Sequence, residues 1–349
     1  MPILDKSKIR PDILKILEGN LRVREQATTE FFKTKENQGV DFKALWKKVT
    51  LGNVRALKGE DMYDYLSKEE QIFLAKFFRF NAEYLADYQQ KFVSPIPKDV
   101  KCEQIDADGV SAEWQIIPGS IDDQVLLYFH GGGYIMGSPN FRRSLSVNLA
   151  RTTKMRVLSV DYRLAPEHPY PAGLEDCIST YNWLLSRGIK PKNIIVAGDS
   201  AGGYFTIMTL VNLRDNESPL PAGAVCLSPA TELALKSDSI FKNASSDPVL
   251  GDLGIFWWAE AYLSGVDPQL ISPVYADLSG LPPILIQVST SEMLFNDSTR
   301  FVDRAKAAGV NVTLQTWDNT LHVFHDFNLP ESKEAFSKIG KFVQKCINY

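Results

Sequence analysis

From about Val100 onward the sequence predicts an α/β fold, a mostly parallel sheet with helices on both faces. Three observations predict it. Short apolar runs alternate with helix-like stretches, the βαβ pattern of parallel strands joined by crossovers. A run of glycines, His130-Gly131-Gly132-Gly133, follows directly on the apolar run at 125–129. Finally, Gly198-Asp199-Ser200-Ala201-Gly202 lies between a strand-like segment at 193–197 and a helix-like one at 203–214, the setting in which a serine is held on a sharp turn.

Residues 1–95 differ in character and read as an N-terminal helical cap region. Asp12 is placed to cap a helix starting at Ile13, and Gly19-Asn20 is expected to stop it. Ser67 and Glu70 have the spacing of a capping box. The helix beyond sets Phe73, Phe77, Phe80, Tyr84 and Tyr88 on one face, a stripe expected to serve mainly for packing, with some rings available to an acyl pocket. Ser94-Pro95-Ile96-Pro97 breaks that helix and hinges into a catalytic domain at 96–349.

Within that domain, 125–129 reads as a central strand and 156–160 as another, ending at Asp161. A helix at 173–187 is stopped by Gly188, and strand 222–228 leads into a long excursion at about 230–275. The excursion carries Phe256-Trp257-Trp258 and Tyr262, expected chiefly as internal packing. Strand 283–289, a helix at about 298–308 stopped by Gly309, and strand 311–317 follow. The last helix lines up Phe336, Ile339, Phe342, Val343 and Cys346 on a face that should dock on the sheet.

A serine hydroxyl attacks only when a base takes its proton, and the usual base is histidine. The chain has four: His130, His168, His322 and His325. With a serine elbow of this kind the chain order is serine, acid, histidine, which leaves His322 and His325. His322 lies just past strand 311–317, at the carboxyl edge where open α/β sheets keep their chemistry, and is the preferred base. For the acid, Glu292 is nearer the end of its strand and is preferred. Asp297 is the alternative, although it sits where a helix begins and could cap its free N–H groups. The glycine run can present main-chain N–H groups to a developing oxyanion, together with the N–H of Ala201. It does not fit a dinucleotide loop, because the required third glycine falls on Met136.

Three motifs in order, His130-Gly131-Gly132-Gly133, Asp161-Tyr162-Arg163-Leu164-Ala165-Pro166-Glu167-His168-Pro169 and Gly198-Asp199-Ser200-Ala201-Gly202-Gly203, resemble the hormone-sensitive-lipase-like esterases, the bacterial family IV branch of the α/β-hydrolases. The resemblance spans about Val125 to the C-terminus. It implies an eight-stranded, mostly parallel sheet, a helical cap that includes the 230–275 insertion, and hydrolysis of carboxylic esters. It also implies Ser200 as nucleophile, His322 as base, and Gly131, Gly132 and Ala201 as oxyanion donors. Many members carry Asp-Pro-Leu at the acid, where this chain has Glu292-Met293-Leu294; one branch resembles it in using glutamate. Asp161 and His168 fall in a motif expected to brace the site loops. Pairing of two chains through the edge strand at about 311–317 is a further expectation drawn from the family.

Composition narrows the classes. A net charge of −4 with interspersed signs argues against a nucleic-acid surface, and no apolar run approaches the ~18 residues of a membrane span. The N-terminal residues, beginning Met1-Pro2-Ile3, lack a signal-peptide core, and four scattered cysteines with no C-x-x-C suit a reducing cytoplasm better than a disulfide scaffold. No cofactor or metal is expected; His322 and His325 form the only close histidine pair. The expected partner is a small-molecule ester of short to medium acyl chain, cleaved through an acyl-enzyme. The competing readings are an amidase or peptidase with the same triad, and a non-catalytic ligand-binding member of the fold.

Overall fold

Every residue of three successive inner strands is buried: Ile194–Asp199, Gly223–Leu227 and Ile284–Ser289. A strand buried on both faces needs helices on both sides, which is the parallel α/β arrangement. The computed structural model describes residues 4–58, 65–251 and 254–348; Met1-Pro2-Ile3 of the N-terminal reading lie outside them.

Three helices come first: α1 (Pro11–Phe31), α2 (Phe42–Leu57) and α3 (Lys68–Tyr88). Then follow β1 (Lys101–Asp106), β2 (Ser111–Ile116), β3 (Ile121–Phe129), α4 (Arg143–Thr153), β4 (Met155–Val160), α5 (Ala172–Ser186), β5 (Ile194–Asp199), α6 (Ala201–Asp215) and β6 (Gly223–Leu227). The excursion holds α7 (Asp238–Lys242), α8 (Ile255–Leu263) and α9 (Pro268–Ile271). The chain ends with β7 (Ile284–Ser289), α10 (Phe295–Ala307), β8 (Val312–Trp317) and α11 (Pro330–Ile347). The eight strands form one sheet in the order β1-β2-β4-β3-β5-β6-β7-β8. β2 runs antiparallel to both its neighbours, and every pairing from β4 to β8 is parallel.

The two-residue period of β3 splits the core. Leu127 and Phe129 join Leu174, Cys177 and Tyr181 of α5 and Tyr204 and Phe205 of α6. Leu126 and Tyr128 point the other way, to Leu145 and Leu149 of α4 and Ile339 and Val343 of α11. The C-terminal helix thus docks as its apolar face predicts. Cys177 and Cys226 are buried free thiols. No helix of the described residues is long and apolar enough to cross a membrane.

The N-terminal helices bring two corrections. α1 runs through Gly19-Asn20 to Phe31. Asp12 does not cap it: Arg10 holds that position, Pro11 opens the helix, and the Asp12 carboxylate pairs with Arg10 Nη2 at 2.7 Å. A mid-helix glycine costs about 1 kcal/mol, less than the burial gained when Val23, Ala27 and Phe31 continue the buried face. The capping box of α3 is present, with Ser67 and Glu70 each accepting the other's main-chain N–H. Phe31 packs edge-on against Phe73, Phe77 and Phe80 at 5.4–5.7 Å, and Phe78 carries α3 onto Trp257 and Trp258 of α8.

Candidate active site

Ser200 stands between β5 and α6 with φ 54° and ψ −116°, a conformation that costs a side chain strain energy. Its neighbours show why they are glycines. A Cβ on Gly202 would overlap the Phe129 carbonyl, and one on Gly198 would overlap the backbone of Gly202 and approach Phe129 O to 2.8 Å. The turn is pinned from the next strand, with Ser200 N–H donating to Leu227 O at 2.8 Å and Ala230 N–H to Ser200 O at 3.2 Å.

His322 Nε2 lies 2.9 Å from Ser200 Oγ, and its Nδ1 lies 2.8 Å from Glu292 Oε1. All three side chains are buried. The other carboxylate oxygen of Glu292 accepts from Ser228 Oγ at 2.7 Å and from Ser289 N–H at 3.1 Å. Burial pushes the Glu292 carboxyl up, against the pull of His322 and Ser228. Burial depresses His322, but the Glu292 charge and hydrogen bond outweigh it and leave the imidazole above its ordinary value. With Nδ1–H donated to Glu292, Nε2 is free to accept the serine proton.

The rival residues are elsewhere. Asp297 neither reaches His322 nor caps its own helix; its buried carboxylate accepts Thr231 N–H and Glu232 N–H, both at 2.9 Å, and Ser237 Oγ–H at 2.8 Å. Burial raises it to about 6 despite those bonds. His325 is buried against Phe324, with Nε2 2.9 Å from Gln287 Oε1, and burial lowers it to about 3. Asp161 and His168 are exposed, so the bracing falls to other residues of their motif. Tyr162 donates its hydroxyl to His130 O at 2.6 Å, Arg163 pairs with Asp176 at 2.8 Å, and Glu167 pairs with Arg79 at 2.7 Å.

The glycine loop differs from expectation at one residue. Gly131 N–H donates to Asp199 Oδ1 at 2.8 Å, so it is already engaged. Among the described residues, the N–H groups of Gly132, Gly133 and Ala201 have no protein acceptor. Gly132 (φ 131°) and Gly133 (φ 59°) turn the loop sharply, and a Cβ on Gly133 would overlap the Trp258 ring. Behind the loop, Arg142 lies between Asp199 (3.0 Å) and Asp326 (2.7 Å).

The serine opens into a cleft of about 430 Å³, partly continuous with solvent. Leu233, Leu235, Leu250, Ile255 and Trp258 of the excursion line it, with Leu294, two residues past Glu292. Trp257 and Tyr262 are buried, Tyr262 stacked on Tyr134 at 4.3 Å. The α3 stripe is not among the cleft's lining residues. Sequence reading passed over Ser228 and Gly133. The first stands at the carboxyl end of β6, on the functional edge, and the second completes the glycine run, so both carried a positional signal.

The model of a family described by the alpha/beta hydrolase fold matches residues 126–326. An acetyl-hydrolase of Streptomyces hygroscopicus is 40% identical over 238 residues, covering 67% of this chain and 79% of that protein. An esterase of Acinetobacter venetianus is 38% identical over 225 residues, covering 63% and 74%. A crystal structure of an esterase from the bacterial hormone-sensitive lipase family superposes with a TM-score of 0.74 at 40% identity, covering 87% of this chain and 98% of that one.

Proposed function

The chain belongs to the α/β hydrolase family as a hormone-sensitive-lipase-like, ester-hydrolysing enzyme, and from that premise we propose that it cleaves neutral esters of short to medium acyl chain through Ser200, His322 and Glu292. The supporting observation is the unbroken line Ser200 Oγ, His322 Nε2, His322 Nδ1, Glu292 Oε1, with contacts of 2.9 and 2.8 Å. His322 takes the serine proton as Oγ attacks the carbonyl carbon. The oxyanion is met by the unengaged N–H groups of Gly132 and Ala201 and, in place of Gly131, of Gly133. His322, now an imidazolium balanced by Glu292, protonates the leaving alcohol. Water enters, His322 accepts its proton, and the acyl-enzyme is hydrolysed with return of the proton to Ser200. The cleft's apolar lining suits an uncharged acyl chain. In this reading, residues 1–95 and 230–275 form the cap, and the outer strand β8 is the surface through which a homodimer would pair.

Ser200→Ala should lower kcat on p-nitrophenyl butyrate by on the order of 10⁶ and abolish labelling by a fluorophosphonate. More than a few per cent residual activity overturns the assignment. An acyl series from acetyl to dodecanoyl should peak among the shorter esters; a maximum at dodecanoyl would refute the chain-length reading.

A further inference from the structure

The segment that carries Glu292 is held largely from the excursion. Asn243 Nδ2 donates to Thr290 O (3.1 Å) and Glu292 O (2.8 Å). Ser239 Oγ donates to Met293 O at 2.6 Å and accepts Asn296 N–H at 2.9 Å. Asp247 makes the most telling contact: its Oδ2 accepts Met293 N–H at 2.8 Å, one residue past the acid. Its Oδ1 accepts Val249 N–H and Leu250 N–H at 2.9 and 3.0 Å, and Leu250 lines the cleft. Asp247 is only 1% exposed. Three main-chain N–H groups from two segments distant in the chain thus converge on this one buried carboxylate.

We propose that Asp247 is a positioning residue of the esterase site, which fixes the Glu292 loop through Met293 and brings a second carboxylate to the segment that orients His322. The inference rests on the Ser200–His322–Glu292 reading. Three carboxylates act on His322: Glu292 in direct contact, then Asp247 and Asp199, each favouring the imidazolium. His325, buried beside it, opposes them only if it is itself protonated. The cleft wall at Leu250 and the catalytic acid thus share one anchor, so that loosening the excursion disturbs the chemistry as well as binding.

The test is the pH profile of kcat/KM for Asp247→Asn on p-nitrophenyl butyrate, with kcat and KM measured separately. A charge that favours imidazolium raises the imidazole pKa, so its removal should move the acid limb to lower pH by about half a unit. Because one amide oxygen replaces two acceptors, kcat should fall roughly ten-fold, with a smaller rise in KM from the loosened cleft wall at Leu250. An acid limb coincident with wild type overturns the electrostatic part, whatever happens to kcat. Should Asp247→Asn not fold, Asn243→Ala removes two uncharged anchors of the same loop. It should lower kcat and leave the acid limb in place; unchanged kcat overturns the anchoring. If activity survives Ser200→Ala, the underlying reading fails, whereas a Ser200-dependent enzyme indifferent to Asp247→Asn refutes this inference alone.

Discussion

The serine elbow and the acid loop lie side by side at the carboxyl edge of the sheet, yet they are held by different means. Around Ser200 the fixing contacts are main-chain ones: Leu227 O, Ala230 N and the close approach of Phe129 O to Gly198 and Gly202. Around Glu292, beside the local N–H of Ser289, they are side chains reaching from distant segments: Ser228, Ser239, Asn243 and Asp247. Ser200 is therefore set by the local fold of one strand–helix junction. Glu292 is set by whether the excursion sits correctly, which makes it the more adjustable member of the site.

The sharpest way to break this contrast is at Gly202. A methyl there meets the Phe129 carbonyl, which belongs to a central strand and cannot give way. Gly202→Ala should cost more than about 4 kcal/mol and abolish ester hydrolysis, read by urea unfolding and p-nitrophenyl butyrate turnover. A stable, active variant would show that the elbow is less rigid than its geometry implies. Next comes Glu292→Gln, which keeps the shape of the acid and removes its charge. It should lower kcat on the order of 10³- to 10⁴-fold with the unfolding midpoint nearly unchanged.

Ser228→Ala tests the junction of the two regions, since Ser228 donates to Glu292 and accepts Val323 N–H at 3.2 Å. Losing one hydrogen bond to a charged group should reduce kcat about ten-fold, while labelling of Ser200 persists. The smallest catalytic effect is expected at Asp297→Asn, within about three-fold of wild type; its signature lies in stability. The Asp297 carboxyl is raised by burial to about 6, so in the wild type its contribution is full below about pH 4 and is lost as pH rises through about 6. The variant has no such titration. From pH 4 to 7, wild type should lose up to about 3 kcal/mol relative to Asp297→Asn, as measured by denaturant titration at each pH. No divergence would mean that the buried carboxyl titrates normally.

Most of the site was legible because each of its parts carries a local steric or positional mark. Gly198 and Gly202 announce a turn that admits no side chain, and the apolar runs at β3 and β5 announce buried strands. His322 lies just after β8 and Glu292 close to the end of β7, the positions that make both candidates. The glycine run does not reveal that the Gly131 N–H is taken by Asp199, a partner 68 residues away. The stop at Gly19 was misread because the buried face continued by Val23, Ala27 and Phe31 outweighs the glycine's local preference.

By itself, the sequence determined the sheet, the elbow and the candidates for the reacting groups, because hydrophobic period and glycine sterics act between near neighbours in the chain. Only the tertiary structure decided which glycine amides stay unengaged, that Asp297 clamps residues 231–237, and that Asp247 accepts the Met293 N–H. Those outcomes depend on which buried donors find which buried acceptors, and that pairing is settled only when segments remote in the chain pack together.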